Sequence, residues 1–279
     1  MLQFGVFLMI IIIILLAYYY TLSFSYSDQV QHYSSNRYHA GTKKQFEHCK
    51  YQLLKRYGDH IVRLGVFNTL RKTKDMATYP IKTELLPLRT LFTKQTLYQY
   101  EYKNRLDPFD NNPLHQMILS YIKSFHILSR LQQDNNVTLK VRICSGNWKF
   151  NSHFDCITNL VFMLYGTKRF LLYSLDSLSI PEQKHFISKI FYKKQHEIID
   201  ILQKNNIESK LITLEPGDLL YIPSGLYHMV EADEPSILIN IIPELKTTVQ
   251  EMICSHTFKT LWKKQSHNCS TNHCLYSDN

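Results

Sequence analysis

The chain has 279 residues, 44% hydrophobic and 20% charged, which excludes a disordered polymer and leaves room for one large globular domain. Its net charge of +9 favours an anionic partner (nucleic acid, a membrane surface or an acidic peptide), although solvated Lys-rich faces give the same balance. Six cysteines without a CxxC pair exclude a disulfide framework in a domain of this size.

The first predicted element is apolar. Phe4 to Phe24 holds no charged residue and centres on Ile10–Leu16, long enough to cross a bilayer as a helix. Tyr18, Tyr19 and Tyr20 stand where an interfacial aromatic belt would lie. The reading is a retained single-pass anchor over residues 1–27, in the endoplasmic reticulum or another endomembrane. A cleaved signal peptide ending at Ser23-Phe24-Ser25 is the rival. Arg37, Lys43 and Lys44 follow the segment and favour a cytosolic domain, whereas the sequons at Asn136 and Asn268 point the other way but are expected by chance.

Residues 28–43 are polar and read as a linker to a domain over 44–250. Helical spacing from Lys44 to Tyr57 ends at Gly58-Asp59, and Ile61–Leu64 reads as a strand. A short helix is expected at Leu85–Leu91, a loop at Leu106–Pro113 and a helix at Leu114–Leu131. Beyond Leu139 the chain becomes β-rich, with strand-like runs at Leu139–Cys144, His153–Leu164, Arg169–Tyr173, Lys210–Thr213, Asp218–Ile222 and Ile237–Ile242. One amphipathic helix is predicted over His185–Gln203, with Phe186, Ile190, Phe191 and Ile198 on one side. The tail 251–279 carries His267, Cys269, His273 and Cys274 and reads as disordered rather than as a zinc site.

Two short motifs carry chemistry. In His153-Phe154-Asp155 the imidazole and the carboxylate, two residues apart on a strand, would share a face. In the run from Glu215 to His228, Pro216-Gly217-Asp218 forms a tight turn into a buried strand, and a later loop delivers His228. Two histidines and a carboxylate make the facial set suited to non-haem Fe(II). Each piece alone is weak: an isolated HxD occurs on many strands, and a single histidine is often a satisfied core residue.

Arg142–Tyr173 together with Leu214–Ile242 resembles the JmjC/cupin-type Fe(II)- and 2-oxoglutarate-dependent oxygenases. The resemblance implies a mainly β fold, a double-stranded β-helix of the cupin or jelly-roll kind with flanking helices, preceded here by the N-terminal apolar helix. It implies His153, Asp155 and His228 as ligands of Fe(II), and 2-oxoglutarate as co-substrate. By the same resemblance Lys168 pairs the distal carboxylate of 2-oxoglutarate, and Asn159 and Asn240 contact the co-substrate. Asn159, six residues after His153, would share its strand face. The chain departs from the pattern at Phe150, where relatives carry a hydroxyl residue; Ser152 is the substitute at hand. Tyr98, Tyr100 or Tyr102 would supply a tyrosine that some relatives use. The implied activity is hydroxylation of a macromolecule, a protein side chain or RNA. The alternatives are a non-catalytic cupin acting as a membrane-associated scaffold and a metal-dependent isomerase or sugar-binding cupin.

Overall fold

The computed structural model describes residues 31–33, 43–66, 82–93, 98–105, 116, 117, 120, 137–155, 157–190 and 193–243. The apolar segment Phe4–Phe24, the loop at Leu106–Pro113, most of the helix expected at Leu114–Leu131 and the tail 251–279 lie outside the described residues. Among the described residues no helix is long and apolar enough to cross a membrane.

The strands are β1 (Gln31–Tyr33), β2 (Ile61–Val66), β3 (Lys82–Pro87), β4 (Tyr98–Arg105), β5 (Val137–Cys144), β6 (Trp148–His153), β7 (Asn159–Tyr165), β8 (Lys168–Tyr173), β9 (Ser209–Leu214), β10 (Leu219–Ile222), β11 (Tyr227–Ala232) and β12 (Ser236–Pro243). The helices are α1 (Lys43–Tyr57), α2 (Thr90–Thr93), α3 (Ile180–Ile190) and α4 (Gln195–Lys204). Described strands form two antiparallel sheets, ordered β1-β10-β7-β12-β5-β4-β2-β3 and β6-β11-β8-β9.

Strands at the centre are buried on both faces, which is why β7, β8 and β12 read as nearly continuous apolar runs rather than as alternating ones. Three cores result. Val141, Ile143, Phe162, Leu164 and Ile239 pack with Cys49 and Leu53 of α1, outside the larger sheet. Leu171, Tyr173, Tyr227 and Met229 pack with Phe186, Ile190, Ile198 and Leu202 of α3 and α4, outside the smaller one. Val161, Met163, Phe170, Leu172, Val230 and Leu238 fill the interior between the sheets. Because side chains alternate along a strand, the parity of each position decides which core it meets.

Several sequence expectations are corrected. Part of the expected linker is structural: β1 extends the sheet by pairing Gln31–Tyr33 with Leu219–Tyr221 of β10. The short helix expected at Leu85–Leu91 is mostly strand β3, followed by the single turn α2. Its pairing with β2 outweighs local periodicity, and Pro87 is tolerated because β3 lies at the edge of the described sheet. The helix expected over His185–Gln203 is two helices. The second begins anew at Gln195, where the Glu197 side chain accepts the backbone N–H of Lys194 at 2.8 Å.

Candidate metal centre

The run His153–Leu164 is not one strand. His153 closes β6, and β7 opens at Asn159 in the other sheet. Asp155 therefore lies in the connection between them and does not reach the site through strand parity. That connection is tied down where the Asp155 carbonyl accepts the Gly225 N–H at 2.8 Å. Gly225 has φ +87°, a left-handed conformation that glycine adopts without strain, in the turn that leads into β11. His228 sits within β11 rather than on a loop, directly opposite His153 of β6.

A bulge completes the convergence. Between the pairs His228–His153 and Val230–Phe150, β6 spends one more residue than β11. The extra residue breaks the alternation of β6, so Phe150 and His153 both line the same pocket. Ser152 turns away, and its hydroxyl bonds that of buried Tyr173. Ser152 is thus not a substitute for the hydroxyl missing at Phe150.

The potential ligand atoms of His153, Asp155 and His228 all lie within 4.8 Å of one another. His228 Nε2 is 3.8 Å from Asp155 Oδ2. Nδ1 of His153 donates to the Asn151 carbonyl at 2.8 Å, and Nδ1 of His228 to the Leu226 carbonyl at 3.0 Å. A carbonyl can only accept, so each ring carries a proton on Nδ1, and Nε2 is the nitrogen that could bind a metal. Burial, and secondly the neighbouring His228, pushes His153 down to about 3, so its ring is neutral at ordinary pH. Burial opposes ionisation of Asp155, but His153 and His228, with Lys140 and Arg142, outweigh it and hold its carboxyl below the usual range. Two imidazoles and one carboxylate match the donor set of a divalent metal centre with positions left for other ligands.

The pocket beside this group also takes in Asn159, Lys168 and Asn240. Lys168 opens β8 after the Gly166-Thr167 turn, shares parity with Phe170 and Leu172 of the interior, and is 2% exposed. Its ammonium donates to Cys144 Sγ at 3.3 Å. Burial first, and Arg142 beside it, lower the Lys168 pKa against the opposing effect of Cys144. Asn159 reaches the pocket from β7, not from the strand of His153 as expected. Asn240 Nδ2 on β12 donates to Asn159 Oδ1 at 3.1 Å, while Asn240 Oδ1 is buried with no hydrogen-bond partner among the described residues. A buried acceptor left so is poised for a donor from a ligand or water.

Tyr98, Tyr100 and Tyr102 lie on β4, where Tyr100 pairs with Ile143, Glu101 with Arg142 and Tyr102 with Val141 of β5. Sequence reasoning missed Arg142, Trp148 and buried Lys140. Lys140 and Arg142 alternate with Leu139, Val141 and Ile143, a pattern that suggests a solvated face until both faces of β5 are known to be covered.

A family model for the cupin-like domain matches residues 98–242. An uncharacterized protein of Bacillus subtilis (strain 168), YxbC, is 30% identical over 96 residues, which is 33% of this chain and 29% of that protein. The match thus spans less than a third of the relative's length.

Proposed function

The chain belongs to the cupin-like domain family, and on that footing we propose that it is an Fe(II)- and 2-oxoglutarate-dependent hydroxylase acting on a macromolecule, a protein side chain or an RNA. The observation that carries the reading is the convergence of His153, Asp155 and His228, with both Nδ1 protons committed to backbone carbonyls. These three residues would hold the metal. When bound, Fe(II) and 2-oxoglutarate supply the oxidative chemistry, in which O2 is consumed, the oxo acid is decarboxylated to succinate and a C–H bond is hydroxylated.

The chain's own residues then do three things. Lys168 offers a buried ammonium to the distal carboxylate of the co-substrate, a charge-assisted contact that replaces its weak bond to Cys144. Asn159 and Asn240 would orient the co-substrate by donating from their amide N–H groups, while Asn240 Oδ1 would take a water. Phe170, Val230, Leu238 and Val161 keep the pocket floor apolar and exclude bulk water. The apolar run Phe4–Phe24 would hold the domain to a membrane in a single pass.

A second reading is a non-catalytic cupin that keeps the fold as a binding protein. Phe150 favours it, since its ring packs edge-on against His153 with centroids 4.5 Å apart and narrows the space beside the metal group. Succinate release from 2-oxoglutarate, measured with pooled candidate proteins and RNAs, separates the two. Turnover that depends on added Fe(II) and is lost in Asp155→Ala supports the hydroxylase. Absence of turnover with every pool, together with no 2-oxoglutarate binding, supports the scaffold.

A further inference from the structure

Strand β1 joins the larger sheet beside β10, antiparallel, with Gln31 opposite Tyr221 and Tyr33 opposite Leu219. The first residue of β1 therefore stands one step from the level of Ile222. Ile222 pairs with Asn159 of β7, and both line the pocket. Just past Ile222 the chain turns through Gly225, whose N–H bonds the Asp155 carbonyl. The polypeptide thus enters the domain at the metal end of the sheets. Among the described residues that end is also the open one: Asp155 is half-buried and Ile157 beyond it is exposed, whereas Lys168 and Trp148 at the other end are buried. Glu234 marks the far end, where its carboxylate accepts the Thr167 hydroxyl at 3.0 Å in the turn before Lys168.

Only six residues, 25–30, separate the apolar run ending at Phe24 from Gln31. Fully extended, the chain from Phe24 to Gln31 spans about 25 Å. A strand of six residues such as β8 is itself about 20 Å long. The connection can therefore reach a bilayer beside the metal end, but it has no length to spare for passing along the strands to the far end. We propose that the N-terminal segment sets the mouth of the metal pocket against a membrane surface, so that the substrate is a protein segment held at the bilayer rather than a free RNA. The geometry rests on Phe4–Phe24 being an anchor, and the substrate class rests on the oxygenase reading, which it narrows. A pocket tethered this close to the bilayer meets juxtamembrane segments at high effective concentration. The net charge of +9 suits an anionic lipid surface, which repels RNA.

The test is energy transfer in the full-length chain, reconstituted in phosphatidylcholine–phosphatidylserine vesicles that carry a dansyl-headgroup lipid as acceptor. Ile157→Trp places a donor at the mouth and Glu234→Trp one at the far end; both positions are exposed, so neither substitution removes core packing. With the signal of the parent's own tryptophans subtracted, transfer from Ile157→Trp should clearly exceed that from Glu234→Trp. A flexible Gly/Ser run of about twelve residues inserted after Asp28 should abolish the difference while the chain still floats with the vesicles. Equal transfer from the two sites without the insertion, or more from Glu234→Trp, overturns the orientation and leaves the oxygenase reading standing. A chain that does not float with the vesicles overturns it in the same way. Succinate release is then compared between vesicles carrying pooled membrane proteins and pools of soluble protein and of RNA. The membrane pool should drive the greater release, and greater release with either other pool overturns the substrate class. A parent that takes up Mn(II) yet binds no 2-oxoglutarate defeats the oxygenase reading and the substrate class with it, and the energy transfer still decides the orientation.

Discussion

His153 and His228 are a cross-strand pair, opposite each other on β6 and β11, with ring centroids 4.2 Å apart. Burial keeps the His153 ring neutral, so it does not repel its neighbour as an imidazolium would. Asp155, reaching in from the β6–β7 connection, adds the charged member.

Stoichiometric metal binding should therefore need all three. Asp155→Ala and His228→Ala are expected to abolish Mn(II) or Fe(II) binding at micromolar metal. Both should remain folded, since the three apolar cores that hold the sheets together remain. Metal content by mass spectrometry, with circular dichroism as the fold control, checks this. Parent-like metal affinity in either variant would mean that the centre is misassigned.

Lys168→Met should separate stability from function. The ammonium is buried, and removing an uncompensated buried charge is stabilising or neutral. Its pKa is lowered in the folded state, so between that value and the ordinary lysine range the unfolded chain binds more protons and stability rises with pH. The cost of the charge is thus largest below the folded pKa and fades as pH rises. The metal-free variant should melt at or above the parent's temperature near neutral pH. The difference should shrink toward pH 10, while 2-oxoglutarate affinity falls at least tenfold, or about 1.4 kcal/mol. Thermal melts across pH and calorimetry measure the two effects; a variant that melts well below the parent at neutral pH contradicts the first.

Ser152→Ala should act oppositely. It strands the buried hydroxyl of Tyr173, a loss of about 1–3 kcal/mol by the usual cost of an unpaired buried polar group. Because Ser152 faces away from the pocket, 2-oxoglutarate affinity should stay within about twofold of the parent, roughly 0.4 kcal/mol. Denaturant unfolding and calorimetry on the same sample decide. A large affinity loss without destabilisation would return Ser152 to the site.

The N-terminal region carries two separable expectations. Alkaline carbonate extraction should leave the full-length chain in the membrane pellet, and recovery of a soluble form beginning near Ser25 would instead show cleavage. A chain starting at Asp28 keeps β1, whereas one starting at Tyr38 bares the Leu219–Tyr221 edge of β10. Exposed strand edges template aggregation. Light scattering should therefore show the shorter chain self-associating and the longer one monodisperse; equal behaviour would make β1 dispensable.

The sequence by itself determined the chemistry on offer and much of the scaffold. Two histidines and an aspartate at informative spacing, a lysine opening a strand after a Gly-Thr turn, and Pro216-Gly217-Asp218 as a tight turn are local facts, and local backbone preferences express them without help. Gly217 has φ +94°, and its N–H is bonded to the Met163 carbonyl at 2.7 Å, as a tight turn before a buried strand requires. Tertiary structure alone decided which face of each strand became the interior. Period-two alternation sorts residues into two sets but does not say which set meets the site when both faces are covered, so nothing in the sequence singles out Arg142. The β6 bulge, which turns Phe150 and His153 to one side and Ser152 to the other, is a property of the pairing with β11. Pairing of strands some eighty residues apart is a long-range packing choice, made by burying the most apolar area, and no window of local sequence contains it.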